Sequence, residues 1–421
     1  MVRVQPFNAY RPPPEIAREV AAPPYDVLDS DEARDACSRL STKTFLRVNK
    51  PEVDLPTHIS QYDTAVYEKG RENLQEFIGA GWLRRDATPC LYIYAQIMGD
   101  HVQHGICAGV PVEEYAMGLI KRHEKTQVKK ENDRTRLTYV QNANVGPVFL
   151  TYRDNAAVNS IVNQVIASPP ETEFVADDGI GHKVWPVRDP YMVRDLQRAF
   201  AAVPCSYIAD GHHRSASAFR VGEMKIKEAI ARGDIITGEE PFTHFLAVLF
   251  PASELRIMEY NRVVKDLNGH TREAFLELAT RCFDVTPLAE RPQNMAQRRH
   301  VGMCVGGDWF ELAAKPGSYE ETDPVKGLDV QVLYDNLLSP VLGIGNPRTD
   351  ERIKFVGGIR GSAELERLTT SGSEPWAVGF LMHPVSIEEV MSVSDADMLM
   401  APKATWFEPK LRSGLVVRLL D

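Results

Sequence analysis

Apolar residues follow two different periods along the chain. Apolar runs at 91–98 and 104–112, separated by Gly99 and Asp100, have strand length and predict a hairpin. Further strands are predicted at 148–152, 173–188 (two short ones about the turn at Asp177-Asp178-Gly179), 254–260, 301–305, 309–313 and 376–382. The run at 243–250 is apolar throughout, as expected of a strand buried on both faces. Helical spacing takes over at 61–79, where Ala65, Val66, Leu74, Phe77 and Ile78 recur before Gly79 and Gly81. It returns at 155–166, 189–201, 271–283, 328–338, 363–369 and 387–394, and Asp29-Ser30-Asp31 offers caps for a helix from about Glu32. Strands and helices interleave, so the fold class is α/β of the mixed α+β kind.

Domain boundaries are weakly marked, because there is no repeat and no low-complexity segment. The Gly- and Pro-punctuated stretch 284–320 reads as a connection between lobes. This gives a core over 1–283 with helical insertions, and a C-terminal α/β lobe over 284–421 whose tail at 400–412 returns to the site.

One stretch, 206–218, concentrates chemistry. Tyr207-Ile208-Ala209 reads as the end of a buried strand, and Ser215-Ala216-Ser217-Ala218 is small and helix-permissive. Between them stand Asp210, Gly211, His212, His213 and Arg214. Strand, glycine turn and helix start aim backbone N–H groups and the positive helix end at one point, which suits an anion. The histidines add donors, Arg214 can grip phosphate with two N–H groups, and Asp210 can hold Mg2+ beside the same phosphates. Packing alone does not explain five such residues after an apolar strand end.

Three other segments carry candidate residues. Near the N-terminus, Pro23-Pro24 stiffens the chain ahead of Tyr25 and Asp26, with Asp26 as a turn cap the plain alternative. Arg122-His123-Glu124 and Thr126 open a dense charge run, most of which is the solvated face of a helix. Lys403, Thr405 and Lys410 lie among prolines and aromatics near the C-terminus, where a tail folded over the surface explains them equally well.

Composition narrows the partners. A net charge of −10 over 421 residues argues against a general nucleic-acid binder. No apolar run has membrane-spanning length, and the N-terminus resembles neither a signal nor a transit peptide. Six scattered cysteines without a Cys-x-x-Cys pair fit reduced thiols and a cytoplasmic location. The sequence is silent on oligomeric state, and a homodimer is compatible with it.

Several motifs together resemble the DUF-1015 family. They are Pro6-Phe7, Ala22-Pro23-Pro24-Tyr25-Asp26-Val27, His123-Glu124-x-Thr126 with Asp133-Arg134, Tyr207 to Arg214, and Pro402-Lys403-Ala404-Thr405-Trp406-Phe407-x-Pro409-Lys410. The residue after Arg214 is often aromatic in that family, whereas here it is Ser215. Asp210-Gly211-His212-His213-Arg214 also resembles the nucleotide loop of the ParB/sulfiredoxin superfamily and of its free L-serine kinases. The resemblance implies a ParB/sulfiredoxin-like core with large insertions and a small-molecule kinase activity. ATP or ADP would be the phosphate donor, Mg2+ the cofactor and free L-serine the leading acceptor. Sulfiredoxin chemistry is not implied, since His212 stands where that loop carries its cysteine.

In this reading Gly211, His212, His213, Arg214 and Ser215 hold the nucleotide, and His213 also sits close to the chemistry. Phosphoryl transfer further needs a group to orient the acceptor hydroxyl, and Glu124 and Asp26 stand level for that role. The related serine kinases use a glutamate on an N-terminal segment, where this chain offers Asp26. Tyr25, Arg122, His123, Thr126, Lys403, Thr405 and Lys410 are the candidate substrate contacts. Two alternatives remain, a non-catalytic nucleotide sensor and a metal-dependent phosphohydrolase using Asp210 and the histidines.

Overall fold

The expected hairpin forms: β1 (Leu91–Met98) and β2 (His101–Pro111) pair antiparallel with Met98 opposite His101. Gly99 turns the chain at φ 60°, a conformation that costs glycine little. The computed structural model describes residues 1–421. The hairpin belongs to an eight-stranded sheet completed by β3 (Ile120–Lys121), β4 (Val148–Tyr152), β5 (Thr172–Val175), β6 (Gly181–Val187), β7 (Ser206–Asp210) and β8 (His244–Pro251). The strand order is β3-β7-β4-β8-β2-β1-β6-β5. As its composition predicts, β8 is buried at all eight positions, running parallel to β4 and antiparallel to β2. Ile93, Ile106, Val148, Leu150, Ile208 and Leu249 meet in the apolar core of this sheet.

The helices that flank the site follow their sequence signals. Asp29 caps the helix α1 (Ser30–Arg39) in a reciprocal capping box with Glu32. Asp63 caps α2 (Thr64–Gly79). The charge run folds as α3 (Val128–Gln141), ending at Asn142 in the left-handed conformation. The helix α4 (His212–Ala231) follows β7.

The chain divides into two compact units. One comprises residues 1–122, 126–255 and 409–421, and the other residues 256–408 with 123–125. The division after Leu255 corrects the boundary expected at 284. The reason is strand pairing. Phe283–Leu288 pairs with Asp308–Ala314, and Asp308–Ala314 with His300–Val305, so the supposed connection at 284–320 is three strands of one sheet. That sheet has six strands, all antiparallel to their neighbours, completed by Val378–Leu381, Tyr260–Val264 and Ile353–Gly357. The final residues belong with the first unit, where Arg418–Leu419 pairs with Ala143–Asn144. All six cysteines are free, and no helix is long and apolar enough to cross a membrane.

Candidate functional site

The expected turn forms at the end of β7. Its register against β4 shifts between Ile208 and Asp210, a bulge that re-aims the last residue of the strand. Gly211 then takes φ 95° and ψ 34°, and α4 begins at His212. Only glycine adopts this left-handed conformation without steric cost. The result is a 20-residue helix whose first N–H groups point out of its start, the usual geometry of an anion site.

Arg214 sets the shape of this turn. Its Nη2 donates to Asp210 Oδ2 at 2.7 Å, and Nη1 donates to the Pro147 carbonyl. The guanidinium lies against Gly211, where a β-carbon would stand 2.9 Å from Nε. Lys410, from the C-terminal segment of the same unit, brings Nζ to 3.7 Å from Asp210 Oδ1. Its backbone carbonyl accepts from Gln96 Nε2 at 2.9 Å, and Gln96 Oε1 accepts from Gln103 at 3.0 Å. Gln96 and Gln103 are fully buried cross-strand partners on β1 and β2. Two amides held inside a sheet need internal partners, and theirs lead to Lys410.

Each Asp210 carboxylate oxygen faces a cationic side chain. Asp210 anchors two cations, and Arg214 presents charge rather than an open fork.

The two histidines diverge from the turn. His212 is buried. His213 Nε2 accepts the Gln127 N–H at 2.9 Å. That contact ties the turn to the start of α3, where Thr126 Oγ1 donates to Glu131 Oε2 at 2.7 Å. Ser215 is buried and its hydroxyl donates back to the Gly211 carbonyl at 3.1 Å, a bond along the helix rather than toward a ligand.

Tyr25 stacks against Arg134, with the guanidinium 4.2 Å from the ring centroid, and Arg134 pairs with Asp133. Burial pushes the Tyr25 phenol up, so it stays protonated. Tyr25, Arg134 and Arg214 line one cavity, while Asp26, next along the chain, is exposed. Arg122 lies over the Tyr115 ring at 5.1 Å.

The remaining candidates belong to the second unit. His123 is buried, with Nε2 3.3 Å from Thr405 Oγ1, and its carbonyl accepts the Met400 N–H at 2.8 Å. Two motifs some 280 residues apart in sequence are thus joined, and half-buried Glu124 lies in the segment they hold. Lys403 adopts φ 56°, lies 5.5 Å over the Tyr260 ring, and accepts a hydrogen bond from Arg262 through its carbonyl. Sequence reasoning missed Gln96 and Gln103, whose signal is two glutamines at inward strand positions, and placed Arg134 in a motif without its contact to Tyr25.

Residues 4–331 match the family described as a protein of unknown function, DUF1015. The chain belongs to that family. No curated protein matches it. Among solved structures, it is similar to a free serine kinase in complex with AMP, at 14% identity and a TM-score of 0.33 over 75% of this chain and 92% of that one. A mutant of free serine kinase in complex with ADP has 14% identity and a TM-score of 0.34 over the same shares. SbnI with a C-terminal truncation, from Staphylococcus aureus, has 11% identity and a TM-score of 0.34 over 74% and 87%.

Proposed function

We propose that this protein is a nucleotide-dependent kinase of a small hydroxyl-bearing metabolite, with free L-serine as acceptor and ATP or ADP as donor. The observation that carries the reading is the left-handed Gly211 turn at the start of α4, flanked by Arg214 and Lys410. Helix-start N–H groups take the phosphates there, and the two cations stabilise charge that builds on the transferred group. Asp210 holds both cations in place. The serine hydroxyl oxygen forms a bond to the terminal phosphorus as the bond to the nucleotide's bridging oxygen breaks. Its proton passes to Glu124 or Asp26. Asp26 shares a unit with the turn, and Glu124 sits in the segment joined to Thr405. Motif resemblance across the chain supports the same reading.

Calorimetry with ATP, ADP and AMP tests the nucleotide site. Arg214→Ala removes a charged donor and should cost about 1.5–3 kcal/mol of affinity. Unchanged affinity in that variant would count against the turn as the phosphate site.

A further inference from the structure

The Asp133-Arg134 motif lies outside the phosphate turn, yet it forms a brace in the same unit. Asp133 Oδ1 accepts from the Tyr67 hydroxyl of α2 at 3.0 Å. Its Oδ2 accepts from Arg134 Nε at 2.8 Å and lies 2.6 Å from Nη2. Arg134 Nη1 donates to the Asn49 carbonyl at 3.2 Å. All three guanidinium nitrogens are therefore held, and the plane they define is fixed. Asp133 balances the charge of Arg134, so the brace supplies shape rather than net charge. Tyr25 rests on that plane, its ring centroid 4.2 Å from the guanidinium carbon.

Tyr25 is half-buried, and its hydroxyl has no hydrogen-bond partner within the chain although solvent reaches it. The charges of both Asp26 and Arg214 act on that phenol. Tyr25 and Arg214 also line one cavity. An acceptor must meet the terminal phosphorus roughly in line with the bond that breaks. With the phosphates on the turn that Arg214 flanks, an acceptor entering beside Arg214 meets the Tyr25 hydroxyl.

We propose that the Tyr25 hydroxyl orients the acceptor by a hydrogen bond, and that Arg134, held by Asp133 and Tyr67, is the positioning residue that fixes Tyr25. The inference rests on the kinase reading for the nature of the acceptor. Tyr25 stays protonated, so it aligns the acceptor without taking its proton.

The test is steady-state kinetics of phosphoserine formation by the full chain, with AMP affinity measured by calorimetry on the same samples. Tyr25→Phe keeps the stacked ring and removes only the hydroxyl. It should lower kcat/KM for L-serine roughly tenfold, the loss of one hydrogen bond, and leave AMP affinity unchanged. Arg134→Lys keeps the charge but not the fixed plane and should act in the same direction. In the Tyr25→Phe background it should cost almost nothing further, because a residue acting through Tyr25 has nothing left to position. Tyr67→Phe, which removes only the bond to Asp133, repeats this comparison if Arg134→Lys does not fold. Wild-type kcat/KM in Tyr25→Phe overturns the proposal. So does a brace variant that loses equal activity in both backgrounds, or one that weakens AMP binding, since the brace then serves general stability or the phosphate turn. These results leave the kinase reading standing. Absence of any phosphorylated product from the wild type removes that reading, and this proposal with it.

Discussion

Arg214 Nη2 donates to Asp210 Oδ2 at 2.7 Å across a single helical turn, and the guanidinium closes over Gly211 as it does so. Gly211→Ala therefore meets two penalties. A left-handed backbone costs a side-chain-bearing residue about 1–2 kcal/mol. The new β-carbon would also push away a guanidinium that Asp210 and the Pro147 carbonyl hold. The variant should fold with lower stability in urea and lose nucleotide binding. Binding at wild-type affinity would show that the turn geometry is dispensable.

The buried amide pair gives a second expectation. Gln96→Leu leaves the Lys410 carbonyl and the Gln103 amide without their partner, at a cost of about 1–3 kcal/mol in a urea titration. Because Lys410 then loses its anchor, nucleotide affinity should fall as well. In a Lys410→Ala background the same change should lower stability but no longer affect affinity. An equal loss of affinity in both backgrounds would mean that Gln96 does not act through Lys410.

Much of the turn was legible in the sequence because its causes are local. An apolar strand end, a glycine and small helix-permissive residues dictate strand, left-handed turn and helix within a few positions. The hairpin at Gly99 and the Asp29 cap are local in the same sense. What escaped depends on distance along the chain. Gln96 reaches the Lys410 carbonyl across 314 residues, and no period or spacing encodes that contact. Arg134 stands beside Asp133 in a recognisable motif, but nothing in the sequence pairs it with Tyr25, 109 residues earlier, which stacks on it. The stretch 284–320 looks like a connection because its short strands carry Gly and Pro, yet sheet pairing makes it structural.

Stability should fall in acid through two buried histidines. Burial lowers His182 to about 3 and His244 to about 4, against about 6.5 in the unfolded chain. His182 is held neutral by its neighbours, since Arg412 Nε donates to Nε2 at 3.2 Å and Tyr94 Oη lies 2.8 Å from Nδ1. Between those values and 6.5 the unfolded chain binds more protons, so stability rises with pH. The contribution is complete above about pH 6.5 and is lost as pH drops toward 4 and then 3. His182→Gln should roughly halve the histidine-linked change in the urea midpoint between pH 6.5 and 4, because His244 still titrates there. A wild-type midpoint constant over that window would contradict the assignment.

The hydroxyl-orienting carboxylate is separable by kinetics. A general base contributes about 100- to 10,000-fold to rate. Either Glu124→Gln or Asp26→Asn should therefore cripple turnover while nucleotide affinity stays close to wild type. If both variants turn over normally, neither carboxylate is the base.

The central claim is tested most directly by incubating the purified chain with L-serine and either ATP or ADP in magnesium-containing buffer, and reading products by mass spectrometry. O-phosphoserine should accumulate in equal amount to the dephosphorylated nucleotide, and an amino-acid panel should show serine preferred. Nucleotide that binds but stays intact, with no phosphorylated amino acid or other hydroxyl metabolite formed, would contradict the kinase account and leave a nucleotide sensor in its place.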